Sequence, residues 1–120
     1  MKGFGKKKKS KKKKVNRKNT FDTEKIINQA IKFQTAGNIS EASKFYQYLI
    51  NQGLNDYVVF TNYGTILNDL GRLKEAEIEY RKAIELKPDF AEVHSNLGVT
   101  LFNLGRLKEA EIEYRKAIEL

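Results

Sequence analysis

The sequence predicts an all-α protein of about three helix-turn-helix repeats, six helices in total, stacked as an α-solenoid. The main observation is an internal repeat, because the segment from Gly71 to Leu86 recurs without a change from Gly105 to Leu120, 34 residues later. A second observation is that apolar residues on either side of these glycines recur at helical spacing. A third is that the glycines and the single proline stand where helices would end. Self-similarity at this period is typical of stacked repeat folds.

The first helix of the middle repeat is predicted from a stripe of large apolar residues. Phe60, Tyr63, Leu67 and Leu70 stand at i, i+3, i+7 and i+10, which places them on one side of a helix. Gly71 follows directly, and a glycine tolerates the positive φ that often ends a helix. The sequence therefore predicts that this helix stops at Gly71.

The second helix of the middle repeat follows the same logic. Leu73, Ala76, Tyr80 and Ala83 form its apolar stripe, and Pro88 ends it because proline lacks an N–H and disfavours helix at the residue before it. An exposed ion pair is expected one turn apart, between Glu77 and Arg81. Small residues are expected where the backbones of two helices approach closely, namely at Gly64, Ala76 and Ala83.

The same pattern continues one period in each direction, which sets the predicted repeats at 23–56, 57–90 and 91–120. The third repeat reads His94, Leu97, Gly98, Leu101, Gly105, Leu107, Ala110, Tyr114, Ala117 and Ile118. The first repeat is more degenerate and reads Ile26, Ala30, Phe33, Gly37, Ile39, Ala42, Tyr46 and Leu49. These residues resemble the tetratricopeptide-repeat (TPR) family over about five-sixths of the chain. The lysine-rich start also resembles bacterial, particularly cyanobacterial-like, TPR proteins, some of which continue into a transferase domain.

The resemblance implies a superhelix whose first helices line a concave groove that binds a peptide segment of a protein partner. Carried onto this sequence, the groove positions are mostly neutral polar and aliphatic, with one aromatic residue. That mixture is suited to an extended or helical peptide held by amide hydrogen bonds and apolar pockets. The predicted partner-binding residues are Ile27, Ile31, Gln34, Thr61, Asn62, Thr65, Asn68, Ser95, Val99 and Phe102.

One subclass of the family clamps the terminal carboxylate of chaperone tails with lysine, arginine and asparagine side chains. At those positions this sequence has Ile27, Ile31, Asn62, Glu92 and Asn96, of which only Asn62 fits. A carboxylate would lose its hydration there without gaining a cation. We therefore expect that this chain does not capture chaperone tails.

Composition gives little support for catalysis. The chain has no cysteine and one histidine, and no cluster of side chains has metal-ligand spacing, so neither a metal site nor a cofactor is predicted. His94 stands where the family usually has a large aromatic residue, which favours a packing role. The glutamates of the second helix (Glu75, Glu77, Glu79 and Glu85) are expected to form a solvated face. The chain is not expected to be an enzyme.

The N-terminal tail, residues 1–19, carries eleven basic residues and no acidic one, so residues 20–120 sum to a net charge of −3. Such a segment is predicted to be disordered. It is either a solubilising arm or a polyanion-binding arm, and either RNA/DNA or an anionic membrane surface would serve as the polyanion. The predicted polyanion-binding residues are Lys6, Lys7, Lys8, Lys9, Lys11, Lys12, Lys13 and Lys14.

The sequence ends inside the last predicted helix, so Leu101, Leu107, Tyr114 and Ile118 are expected at or near an open end. Either truncation of a longer protein or end-to-end self-association would explain this. No signal peptide or membrane span is recognisable, which favours a cytoplasmic location. The leading interpretation is a protein-interaction scaffold. The alternatives are a nucleic-acid-associated adaptor and the N-terminal regulatory part of a truncated transferase.

Overall fold

The structure is a computed structural model that describes residues 20–120. This part of the chain forms six α-helices and no strand, so the predicted all-α class is confirmed. The predicted disordered tail and its eight polyanion-binding lysines lie outside the described residues. The helices are α1 Thr20–Thr35, α2 Ile39–Asn51, α3 Tyr57–Asp69, α4 Leu73–Leu86, α5 Ala91–Asn103 and α6 Leu107–Glu119. No helix in residues 20–120 is both long enough and apolar enough to span a membrane.

The chain divides into two compact units, which are described separately. The first unit extends to Asn55 and contains α1 and α2, and the second begins at Asp56 and contains α3 to α6. Each predicted repeat thus holds one pair of helices, although α1 begins at Thr20, three residues before the predicted start of the first repeat.

In the first unit, α1 and α2 pack through small and aromatic residues. Ala30 and Ala42 are completely buried, and the rings of Phe33 and Phe45 meet edge to face with centroids 5.4 Å apart. The buried Tyr46 donates a hydrogen bond from its hydroxyl to Gln34 Oε1 at 2.7 Å. Aromatic packing and this part-buried hydrogen bond therefore help to join the two helices.

In the second unit, a glycine on one helix meets a tyrosine ring on the next. A Cβ added to Gly64 on α3 would lie 2.8 Å from Tyr80 Cε1 on α4. The same contact recurs in the next pair, where a Cβ on Gly98 would lie 2.7 Å from Tyr114 Cδ1. Because any larger residue would push the helices apart, these positions confirm the prediction of close helix approach at Gly64.

The helix ends follow the predicted signals, with one addition. Gly71 has φ +80°, the left-handed conformation expected after α3, and α4 stops at Leu86 before Pro88. The added feature is Asp56, whose Oδ1 accepts hydrogen bonds from the backbone N–H groups of Val58 (2.8 Å) and Val59 (3.1 Å). An aspartate directly before a helix is a recognised capping signal, so sequence reasoning could have found it.

The expected open end is partly wrong. Leu101 is completely buried, although the sequence placed it at or near the open end. Leu107 and Ile118 are exposed as expected, and Tyr114 is half-buried. The exposed apolar side chains of the second unit are thus spread over its helices, with Leu107, Ile112 and Ile118 on α6 and Ile78, Leu86, Val99 and Phe102 on α4 and α5.

Candidate functional site

The predicted partner-binding residues lie on α1, α3 and α5, and therefore on both units. On α1, Ile27, Ile31 and Gln34 are all half-buried. Gln34 Oε1 is held by Tyr46, which fixes its amide against α2. The side chains on α1 are accessible in part, and the first unit presents them without the rest of the predicted set.

The second unit carries the other seven residues, and six of them are accessible. Val99 and Phe102 are exposed, Phe102 to 57%. The four remaining side chains are half-buried: Asn62, Thr65, Asn68 and Ser95. We call these six residues the α3/α5 face.

Thr61 differs from the others and is a correction to the predicted set. It is only 1% exposed, so its side chain offers no surface to a partner. Its Oγ1 has no hydrogen-bond partner among the described residues. Thr61 stands four residues before Thr65 on α3, and spacing alone gave no means to separate a buried threonine from an accessible one.

A hydrogen bond joins the two helices of the α3/α5 face. Thr100 Oγ1, which is completely buried on α5, donates to Asn68 Oδ1 on α3 at 2.8 Å. Because the amide oxygen is occupied in this way, the Nδ2 group of Asn68 is the part of the side chain that remains to donate to a ligand. The bond also limits the rotation of Asn68, which reduces the entropy lost on binding.

A second chain of hydrogen bonds runs beneath this face. Thr65 Oγ1 donates to the carbonyl oxygen of Thr61 at 3.0 Å, so the Tyr80 hydroxyl, 3.1 Å from Thr65 Oγ1, acts as the donor to it. Burial, with a smaller contribution from the nearby carboxylates of Asp69 and Glu92, raises the pKa of Tyr80 to about 12. The hydroxyl therefore keeps its proton at neutral pH and continues to hold Thr65.

The charges on these helices are of one sign. Asp69 on α3 and Glu92 on α5 are exposed, and neither helix contains a lysine or an arginine. An anionic group would thus meet two carboxylates and no cation of α3 or α5, which agrees with the expectation that a peptide carboxylate is not the ligand. The amide, hydroxyl and apolar groups of the face are suited to neutral peptide segments.

His94 has the packing position that the sequence indicated, and it also forms hydrogen bonds. It is buried, its Nε2 lies 2.6 Å from the Pro88 carbonyl oxygen, and its Nδ1 lies 2.7 Å from Glu113 Oε1. A carbonyl oxygen only accepts, so Nε2 is the donor in the bond to Pro88. Both ring nitrogens are therefore occupied. Residues 20–120 contain no group of three His, Asp or Glu side chains placed to hold a metal ion.

The expectation of a solvated glutamate face is wrong for two residues. The side chain of Glu79 is 12% exposed, and that of Glu77 is similarly covered. Glu77 pairs with Arg81 as predicted (3.0 Å) and also with Arg106 of the next helix pair (2.8 Å). The contact with Arg106 of the next helix pair helps to cover Glu77, and the pattern within one helix does not contain that information.

Two family models match the second half of the chain. The model described as TPR repeat matches residues 64–105, and the model described as tetratricopeptide repeat matches residues 91–120. The first match spans the last six residues of α3, all of α4 and α5, and the glycine after α5. The second match covers the last helix pair. No curated protein matches the chain.

Solved structures extend the likeness to most of the chain. The second TPR of Spaghetti (RPAP3), bound to an HSP90 peptide, has a TM-score of 0.80 at 19% identity, and the match covers 86% of this chain and 95% of that one. The first TPR of the same protein, also with an HSP90 peptide, has a TM-score of 0.76 at 23% identity, over 81% of this chain and 77% of that one. The Yersinia enterocolitica type III secretion chaperone SycD, in complex with a peptide of the translocator YopD, has a TM-score of 0.75 at 22% identity, over 80% and 73% of the two chains.

At these identities the structural likeness establishes the fold and leaves the ligand open. The family matches rest on the repeats themselves, and the repeated glycine–tyrosine contacts show how those residues pack. Tetratricopeptide-repeat models thus match residues 64–120 of this chain, and the solved structures share its fold.

Proposed function

We propose that this chain is a protein-interaction module that binds a peptide segment of a partner on the α3/α5 face. The observation that carries the proposal is the hydrogen bond that ties the amide of Asn68 to Thr100 on α5, the helix that also exposes Val99 and Phe102. An oriented N–H donor is suited to a backbone carbonyl, and Val99 and Phe102 offer an apolar surface for a side chain of the peptide.

The structural neighbours support the peptide as the class of ligand. Two were solved with an HSP90 peptide and one with a translocator peptide. For this chain the neutral amides and the carboxylates of Asp69 and Glu92 favour a neutral or basic segment over an acidic one. A scaffold of this kind needs no catalytic group, and a cytoplasmic location is part of the proposal.

The test uses short peptides selected from a random phage-displayed library against the full chain. Phe102→Ala removes the largest exposed group of the face, and we expect affinity to fall about tenfold, or about 1.4 kcal/mol. Ile78→Ala is the matched control, because Ile78 on α4 is 54% exposed and lies outside the face. Titration calorimetry with the selected peptides measures both. Equal affinities for the wild type and Phe102→Ala would contradict the proposal.

The basic tail supplies a second, weaker contribution in this proposal. Eleven cationic side chains and no acidic one in residues 1–19 favour nonspecific attraction to anions, including RNA, DNA and anionic membranes. This attraction is expected to act in addition to the α3/α5 face. If the tail alone accounts for every interaction, the adaptor interpretation replaces the scaffold.

A further inference from the structure

Two polar side chains of the α3/α5 face stand one turn apart on α3, and two apolar ones occupy the equivalent positions on α5. Thr65 and Asn68 are followed 34 residues later by Val99 and Phe102, which are exposed. Residues at i and i+3 of a helix are neighbours on its surface. The face therefore has a polar row on α3 and an apolar row on α5.

The hydroxyl of Thr100 is not required by packing. Thr100 is completely buried on α5, and the equivalent position on α3 is occupied by the buried Ile66. A buried hydroxyl is costly unless it is bonded, and Thr100 Oγ1 donates to Asn68 Oδ1 at 2.8 Å. This bond occupies the oxygen of the Asn68 amide, so the amide presents its Nδ2 donor.

The Thr65 hydroxyl has the opposite polarity. Its single proton is donated to the Thr61 carbonyl oxygen at 3.0 Å, and the Tyr80 hydroxyl, 3.1 Å away, donates to it. Of the two hydrogen bonds that a hydroxyl oxygen accepts, the described residues fill one, so Thr65 Oγ1 keeps one acceptor position and has no proton to offer. The polar row thus combines an acceptor at Thr65 with a donor at Asn68.

The first unit holds a carboxamide in a similar way. Gln34 stands one period before Asn68, and its Oε1 accepts from the hydroxyl of the buried Tyr46 at 2.7 Å. Tyr46 belongs to the same helix pair as Gln34, whereas Thr100 belongs to the pair that follows Asn68. Two different hydroxyls therefore bind the carboxamide oxygen at one repeat position, which indicates that the oriented carboxamide is the recurring feature.

We propose that Thr100 and Tyr80 are positioning residues that fix the hydrogen-bond polarity of the α3/α5 face. Asn68 then donates to a main-chain carbonyl of the bound peptide, and Thr65 accepts from a main-chain N–H on the same edge. A segment in extended conformation offers both groups along one edge, whereas a helix uses them internally. The inference rests on the function proposed above and adds the polarity and the conformation of the bound segment.

The first experiment needs no peptide and follows the side-chain amide of Asn68 by ¹⁵N NMR in the full chain. Thr100→Val removes the donor and keeps the shape of the side chain, so we expect the Nδ2 proton resonances to move and broaden. Thr61→Val is the matched control and should leave them in place, because Thr61 is a buried threonine whose Oγ1 has no partner among the described residues. Asn68 resonances that are the same in Thr100→Val and the wild type overturn the inference.

The second experiment measures the polarity at Asn68 with a phage-selected peptide that has no charged residue, titrated by calorimetry at about 200 mM salt. Asn68→Ala removes the donor and is expected to weaken binding about five- to tenfold. Asn68→Asp is expected to weaken it further, because a carboxylate oxygen then meets the peptide carbonyl. Binding by Asn68→Asp that is as tight as binding by Asn68→Ala, or tighter, overturns the inference.

A double-mutant cycle separates positioning from a general loss of structure. Thr100→Val alone is expected to weaken binding of the same peptide about three- to fivefold, and Thr100→Ser should restore it. In the Asn68→Ala background Thr100→Val should have little further effect, because Thr100 acts through Asn68. Strictly additive effects overturn the inference.

Ester bonds in the peptide test Thr65 and Tyr80, because an ester lacks the N–H of the amide it replaces. The ester that weakens binding to the wild type should have little effect on binding to Thr65→Val and a reduced effect on binding to Tyr80→Phe. An ester effect of the same size in all three proteins overturns the assignment of Thr65 as the acceptor and of Tyr80 as its positioning residue.

Phe102→Ala keeps this inference distinct from the proposed function. If Phe102→Ala weakens binding while Asn68→Ala and Thr100→Val have no effect, peptide binding on the α3/α5 face stands and the assigned polarity is wrong. If Phe102→Ala binds as tightly as the wild type, the proposed function fails, and the inference that rests on it fails too.

Discussion

Glu79 and Glu113 occupy the same position of two helices with the same sequence, yet their carboxylates meet different neighbours. Glu113 Oε1 bonds His94 Nδ1 at 2.7 Å. One period earlier the position of His94 is held by Phe60, which has no hydrogen-bonding side-chain group, and Glu79 Oε1 has no partner among the described residues. At the residue scale, a single aromatic-to-histidine difference decides whether this buried carboxylate oxygen is satisfied.

The first prediction is that Glu79→Gln stabilises the protein at neutral pH by up to about 1 kcal/mol, because a neutral amide is less costly to bury. Burial raises the pKa of Glu79, while Lys82 opposes the shift. The folded state therefore binds the proton more tightly than the unfolded state. The free energy of unfolding of the wild type therefore includes a contribution from Glu79. This contribution decreases as the pH rises from the ordinary pKa of a glutamate, about 4.3, through the raised pKa of Glu79.

Urea unfolding of the wild type and Glu79→Gln from about pH 4 to pH 7 measures this term, because their difference isolates the one carboxyl group. The gap in stability should widen as pH rises. Glu113→Gln is the matched control at the same helix position, and it should destabilise by about 1–2 kcal/mol because it weakens a buried hydrogen bond. Equal effects of the two substitutions would show that His94 does not distinguish the sites.

The second prediction concerns His94 itself. His94→Phe gives the third repeat the residue found in the second, and it leaves the Glu113 and Pro88 oxygens without their bond. We expect a loss of about 1–3 kcal/mol in the free energy of unfolding. Adding Glu113→Gln to His94→Phe should recover part of the loss, and a double-mutant cycle measures the coupling. Strict additivity of the two substitutions would be evidence against a direct interaction.

At the scale of elements, the glycine–tyrosine contacts determine how closely paired helices approach, and they support the third prediction. Gly64→Ala places a Cβ 2.8 Å from the fully buried Tyr80 ring, which has no room to move. Gly98→Ala makes the equivalent clash with Tyr114, but that ring is half-buried and free to shift outward. We expect Gly64→Ala to destabilise by about 2–3 kcal/mol and Gly98→Ala by clearly less. Thermal unfolding of both variants checks the order, and the reverse order would refute this account of the packing.

The elements themselves are largely predictable from the sequence, because their signals are local. The positive φ of Gly71 and the stop before Pro88 follow from backbone chemistry at those residues. The burial of Thr61, Glu79 and Leu101 was not predicted. In each case the covering contact depends on how helices pack against one another, and periodicity within one helix gives only the side that faces inward.

The positions of the candidate site, like the helices, could be predicted in part from the sequence. The resemblance to the family placed seven candidate positions on α3 and α5, and six of them are accessible. The contact that orients Asn68 comes from Thr100, 32 residues away, and no motif indicated it. Side-chain hydrogen bonds between repeats are specific to each pair of residues, so a shared family pattern does not contain them.

At the scale of the whole molecule, the charge is divided between a basic tail and an acidic body, and the fourth prediction follows from this division. If six to ten lysines of residues 1–19 each neutralise a phosphate, affinity for RNA falls about 10³–10⁵-fold between about 50 and 200 mM salt. Deleting residues 1–19 should abolish that binding, because residues 20–120 carry a net charge of −3. Filter binding of a labelled poly-uridine RNA measures both effects. RNA binding that survives the deletion would place the contact on the repeats.

We propose that partner recognition resides in the α3/α5 face and that the tail only adds to it. The most direct measurement is pull-down mass spectrometry from lysate of the expressing cells, with the full chain, the chain lacking residues 1–19, and Phe102→Ala. Each form is compared at about 50 and 200 mM salt. We predict partners that persist without the tail and at the higher salt and that disappear with Phe102→Ala. Partners that vanish with the tail or with salt and are indifferent to Phe102→Ala would contradict the claim.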